Sequence, residues 1–160
     1  PPQDAGACRP KERTAGMIIL HQDPCVSARE LCDKDLRKTL KQAGDLAFKA
    51  LENRSDENDL TLRWVCLSPA NLKWTIEYAQ FCAAESYYRF GRKRARVSYR
   101  VLQLPDISAG SVKELPSNPD KGRDYYRKEV APKSVWPNLL WSKRYPPDWL
   151  SRIIFPNAIH

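Results

Sequence analysis

The sequence predicts an all-α fold, and three observations carry that expectation. Apolar residues recur at helical spacing over long stretches, no stretch alternates convincingly like a strand, and helix start and stop signals flank the periodic segments. Hydrophobic residues at 42% and charged residues at 29% are values that a packed globular domain shows and a disordered chain does not. A chain of 160 residues is long enough to bury one core. We expect a helical domain of three to four helices over 17–130, with 1–16 as an N-terminal extension and 131–160 as an extended tail.

Residues 1–16, PPQDAGACRPKERTAG, lack hydrophobic periodicity. A start at Pro-Pro-Gln, with Met17 the only methionine, fits either a trimmed start or a removed targeting segment. The second would place the chain in an organelle, the mitochondrion being the natural destination, and the first would leave it cytoplasmic. The apolar run MIIL opens the core. Ser27 and Glu30 have the spacing of a capping box, and Leu31, Leu36, Leu40, Ala43, Ala47 and Leu51 then form an apolar stripe, with Gly44 a possible kink. Residues 52–61 read as a polar loop. Ser68-Pro69 supplies an N-cap and a first-turn proline for a helix through Leu72, Ile76, Ala79, Ala83 and Tyr87, and Gly91 stops it. A third helix is expected over 93–104, with Val97, Val101 and Leu104 inward, and a short fourth around DKGRDYYRKEV.

The tail differs in kind. Five prolines there interrupt helix and are interleaved with Trp136, Trp141, Tyr145, Trp149 and Phe155. These aromatics either fold back on the body or insert into a neighbouring subunit, and we expect them to form a partner-docking set.

Charge divides the chain. Residues 1–80 balance 12 Lys and Arg against 12 Asp and Glu, so the whole formal excess of +8 lies in the second half. No acid occurs between Ser86 and Pro105, where Arg89, Arg92, Lys93, Arg94, Arg96 and Arg100 fall. We expect this run to bind nucleic acid or an acidic partner. Arg89 also stands four residues after Glu85, a favourable helical ion pair that would give it a structural role instead.

Several chemistries are disfavoured. Only His21 and His160 could serve a nucleophilic triad, and His21 beside Asp23 reads as a loop or capping residue. Six ungrouped glycines give no phosphate-binding loop. The five cysteines, Cys8, Cys25, Cys32, Cys66 and Cys82, show no CxxC spacing and read as reduced thiols. Asp56-Glu57-Asn58-Asp59 lacks the glycine and distal glutamate of a calcium loop. No metal, no cofactor and no membrane span are expected, the last because no apolar run approaches the length required.

Three blocks in order resemble a family of small phage and bacterial proteins, the pyrimidine-dimer DNA glycosylases. The first block is Asp23, Pro24, Ala28, Leu31, Cys32, Asp33, Lys34, Lys38 and Leu40. The second is Asn71, Trp74, Glu85, Tyr88, Arg89, Phe90 and Gly91, and the third is Asp124-Tyr125-Tyr126-Arg127 with Trp141, Pro147, Asp148 and Trp149. The resemblance covers residues 17–150. It implies a helix bearing D-x-H-x6-E, whose glutamate assists while the α-amine of the chain attacks the sugar C1′ to form an imine. Here Asp33 keeps the first position, but Asp35 stands at the histidine and Gln42 at the glutamate. A later histidine of the pattern is replaced by Arg94, and sixteen residues precede the core. The amide of Gln42 cannot act as a base at neutral pH.

The expectation is therefore a chain without catalytic residues: a structural subunit of a large organellar assembly. The first choice is a mitochondrial ribosome protein contacting rRNA and neighbouring subunits. A supernumerary subunit of a respiratory complex is the close competitor. An active DNA glycosylase and AP lyase, acting on damaged DNA, is the catalytic alternative.

Overall fold

A computed structural model of the chain describes residues 17–54, 56–91, 95–130 and 140–150, with the side chains at 95–97 and 129–130 left aside. Six helices follow in order: α1 (Pro24–Glu30), α2 (Asp33–Leu51), α3 (Leu60–Leu67), α4 (Pro69–Phe90), α5 (Ala95–Leu102) and α6 (Pro119–Tyr125). The last runs into a π-helical turn, Tyr126–Val130. The fold is all-α, with no strand among the described residues.

Helix α4 is the hub, packing against α1, α2, α3 and α5. Its ends are set by local chemistry. The Ser68 side chain accepts from the Asn71 N–H at 3.1 Å, Pro69 occupies the first turn, and Gly91 ends the helix at φ +68, where a side chain would be strained. Tyr78, Ala79, Cys82 and Ala83 of α4 are fully buried, as are Leu36, Ala43 and Ala47 of α2. The many small residues let the helices approach closely. Gly44 does not kink α2, which runs through it unbroken. A Cβ there would lie 3.0 Å from Val101 Cγ2, so the glycine admits α5.

The expected first helix is in fact two. Asp23, not Ser27, caps α1, its carboxylate accepting from the N–H groups of Cys25 and Val26 ahead of Pro24. Ser27 is buried instead, where its Oγ accepts from Leu20 N–H and donates to Tyr78 Oη at 3.0 Å. The chain then breaks at Leu31 and Cys32, both extended, before α2 starts. Helix α3 was not expected from the sequence, where its start reads as loop. Asp59, from the acidic stretch, caps it by accepting from Leu62 N–H at 3.0 Å. Of the expected α5 core residues, Val101 and Leu104 are buried, and the Val97 side chain lies outside the described residues.

Helix α6 lies over the Met17–Leu20 segment. Arg123 Nε donates to the Leu20 carbonyl at 2.9 Å, and a Cβ on Gly122 would sit 2.3 Å from the Ile19 carbonyl oxygen. A backbone atom cannot step aside, so Gly122→Ala should lose about 1–3 kcal/mol as an overpacking change. Gly110→Ala, with nothing within 4 Å, should leave stability unchanged. Parallel urea melts of the two variants check this; equal midpoints would refute the close approach.

Over 140–150 the chain takes the first of the two expected courses and folds back on the body, which corrects the assignment of Trp141 and Trp149 to a partner-docking set. Trp141 and Leu150 belong to the core, and Trp149 packs against it. Residues 131–139 and 151–160, with Trp136 and Phe155, lie outside the described residues, as does the 1–16 extension. Among the described residues no helix is long and apolar enough to cross a membrane. Helix α4 has 22 residues but carries Lys73, Glu77, Glu85 and Arg89.

Candidate functional site

The break between α1 and α2 organises the most polar part of the interior. A helix end leaves carbonyls without intrahelical donors, and the start of the next helix leaves N–H groups without acceptors. Here both sets are satisfied from distant elements. Arg89, on the last turn of α4, donates from Nη2 to the Arg29 carbonyl at 2.9 Å and from Nη1 to the Leu31 carbonyl at 2.7 Å. Trp141 Nε1 donates to the Glu30 carbonyl at 2.9 Å. Cys32 N–H donates to Tyr126 Oη at 3.2 Å, and Asp33 N–H to the Leu140 carbonyl at 2.7 Å.

Charged groups complete the arrangement. Arg89 is buried, so its placement in an exposed polyanion-binding set is corrected. The structural role implied by its spacing from Glu85 is the one observed. Its Nε donates to Glu85 Oε1 at 2.8 Å and its Nη1 to Asp33 Oδ1 at 3.1 Å. Arg144 makes a two-pronged contact with Glu85, at 2.9 and 3.0 Å. Asp33 also accepts from the backbone N–H and the hydroxyl of Ser142. Two guanidinium groups thus face two carboxylates, a locally neutral cluster. Asp35 accepts from the Tyr126 hydroxyl at 2.7 Å and from the Cys32 thiol at 3.5 Å. Burial pushes the Tyr126 hydroxyl well above its ordinary range, so it serves as a donor and not as an ionisable base.

Burial by itself would raise the Glu85 pKa. Hydrogen bonds from Arg144 and Arg89 outweigh it and hold the carboxyl below its ordinary value of 4.5. A depressed folded pKa contributes stability that is complete above the unfolded value and disappears as pH falls through the folded one. Glu30 opposes this. Burial raises its pKa despite the hydrogen bond from Trp149 Nε1, so its contribution is present in acid and lost as pH rises through its folded value. We expect stability to fall as pH drops below 4.5, and Glu85→Gln to flatten that acid limb while weakening the protein near neutrality. Urea midpoints across the acid range test it; an unchanged slope in Glu85→Gln would count against the assignment.

The remaining candidates are scattered. Arg100 is exposed and lies over the Phe48 ring at 4.8 Å. Arg92, Lys93, Arg94 and the Arg96 side chain lie outside the described residues. Trp141 and Trp149, expected to dock on a partner, are held by α1 of their own chain through Glu30, and the Trp149 ring meets that of Tyr126 edge-on. Tyr145 is 95% exposed. Gln42 is half-buried and its Oε1 has no hydrogen-bond partner among the described residues. His21 Nδ1 accepts from Asp23 N–H, as a capping residue does. Cys25, Cys32, Cys66 and Cys82 are free thiols, and no group of three or more metal-ligating side chains converges among the described residues.

Residues from the three separated sequence blocks therefore meet at one place. Asp33 comes from the first, Glu85 and Arg89 from the second, Tyr126, Trp141 and Trp149 from the third. Sequence reasoning missed Ser142 and Arg144. Only the local polarity of SKR before the prolines marked them. Comparison with family models, with curated proteins and with solved structures found no match.

Proposed function

We propose that the chain is a non-catalytic structural subunit of a large organellar assembly, a mitochondrial ribosome, docked on rRNA and on neighbouring proteins. One observation carries the reading. Asp33, which keeps the first position of the implied motif, Asp35, which stands at its histidine, and Glu85 of the second block are tied to internal guanidinium, hydroxyl and thiol groups. A general base must present a free lone pair, and a general acid a proton, to its substrate at hydrogen-bond distance. These carboxylates present theirs to the fold, and the position of the assisting glutamate holds Gln42. The polar cluster acts as a clamp joining α1, α2, α4 and the 140–150 segment. The excess of cations in the second half supports a polyanionic neighbour.

Native isolation with size fractionation and mass spectrometry tests the reading. Co-migration with ribosomal particles is the expected result. Migration with a respiratory complex would move the chain to that assembly. A free protein that traps an imine with dimer-containing DNA under borohydride would overturn the non-catalytic reading.

A further inference from the structure

Helix α2 carries a second cationic surface that counting charges by segment conceals. Its first nine residues, DKDLRKTLK, hold two acids and four bases. The two acids, Asp33 and Asp35, point inward to Arg89, Ser142 and Tyr126. Lys34, Arg37, Lys38 and Lys41 are all exposed. Their spacing of three, four and seven residues puts them along one face, about one helical turn of 5.4 Å per step. None of the four has a carboxylate within ion-pair distance among the described residues. The Arg37 guanidinium lies 4.2 Å from the centre of the Phe90 ring, which holds it in place without neutralising it. Asp45, one turn beyond Lys41, bounds the stripe.

We propose that this face of α2 binds the phosphate backbone of an RNA strand. The choice of RNA over DNA rests on the ribosomal reading above; the choice of a phosphate backbone does not. Three features of the surface support it. The stripe follows one face of a helix and has no carboxylate partner among the described residues, with a step of the same order as the distance between successive phosphates. Its four members are charged, three of them lysines, and lysine is depleted from the apolar centres that protein interfaces bury. A helix lying on an anionic membrane would insert its apolar face, but Leu36, Leu40, Ala43 and Ala47 are committed to the core.

The test measures binding of the full chain to a fluorescein-labelled RNA stem–loop and to the DNA of the same sequence, by anisotropy over a salt series. One variant combines Lys34→Gln, Arg37→Gln, Lys38→Gln and Lys41→Gln. A control removes the same charge elsewhere, with Arg29→Gln, Arg63→Gln, Lys113→Gln and Lys128→Gln, all exposed positions off α2 and outside the clefts beside Lys38 and Lys41. We expect the α2 variant to lose roughly tenfold or more in RNA affinity. Its slope of log K against log salt should flatten by about 3, since each phosphate contact contributes about 0.7–0.9. The control should retain its affinity within about threefold. Equal losses in the two variants would reduce the effect to net charge and overturn the proposal. So would wild-type binding in the α2 variant, or a preference for the DNA. Circular dichroism establishes that both variants are folded. If RNA binds through α2 but the native protein does not travel with ribosomes, the assembly reading fails and this one stands; the reverse result separates them the other way.

Discussion

Replacing Arg89 by methionine should destabilise the protein by about 3–5 kcal/mol, the range found when one partner of a buried ion pair is removed. The side chain is fully inaccessible and donates to four acceptors: Glu85, Asp33 and the carbonyls of Arg29 and Leu31. Methionine fills much of the volume, so the loss is polar, not a cavity. Glu85 would keep Arg144, and Asp33 would keep Ser142. The two carbonyls at the end of α1 would have no replacement donor, and each buried unsatisfied group costs about 1–3 kcal/mol. For a chain of this size the melting temperature should drop by roughly 10 °C or more. Arg89→Lys keeps the charge but offers a point donor in place of a planar fork, so it should recover only part of the loss. A double-mutant cycle with Glu85→Gln should give a coupling energy within about 0.5–3 kcal/mol, as contacting residues do. A fall of only a few degrees in Arg89→Met would mean that the clamp does not hold α1 to α4.

The relation between Arg89 and Glu85 was readable in the sequence because it is local: four residues apart on a helix, they must meet. The rest of the cluster was not. Asp33 lies 56 positions from Arg89 and Ser142 lies 109 from Asp33, and no periodicity links them. The break between α1 and α2 was hidden for a related reason. Its cost is offset by donors from α4 and the 140–150 segment, so the local sequence has no need of a glycine or proline at Leu31-Cys32. Helix α3 escaped because eight residues after an acidic loop hold too few turns to establish a period. The α2 stripe escaped because the acids that cancel its charge in a count are turned inward. A long segment with period and caps, such as α4, is legible in extent and in most of its face: Ile76, Ala79 and Ala83 are buried as expected, but Tyr87 is exposed; the all-α class is legible too.

Trp141→Ala should cost about 3–5 kcal/mol, as truncation of a buried tryptophan does. The indole is 6% exposed, packs near the Tyr126 ring at 6.4 Å between centroids, and donates to the Glu30 carbonyl. Trp141→Phe would retain most of the ring burial and lose the donor, leaving that carbonyl unpaired at a cost of about 1–3 kcal/mol. The two variants therefore separate packing from hydrogen bonding. The comparison with Tyr145→Ala decides what the segment is for. Tyr145 is 95% exposed, so its removal should leave the melting temperature of the isolated chain unchanged. An independent docking arm would show the same indifference at Trp141, with every effect confined to association with a partner. A strap that completes the fold shows a large loss at Trp141 in the isolated chain and none at Tyr145. The second pattern is the one expected, because Leu140 and Trp141 supply the partners of the Asp33 N–H and the Glu30 carbonyl, while Ser142 and Arg144 add to the contacts that Asp33 and Glu85 make with Arg89.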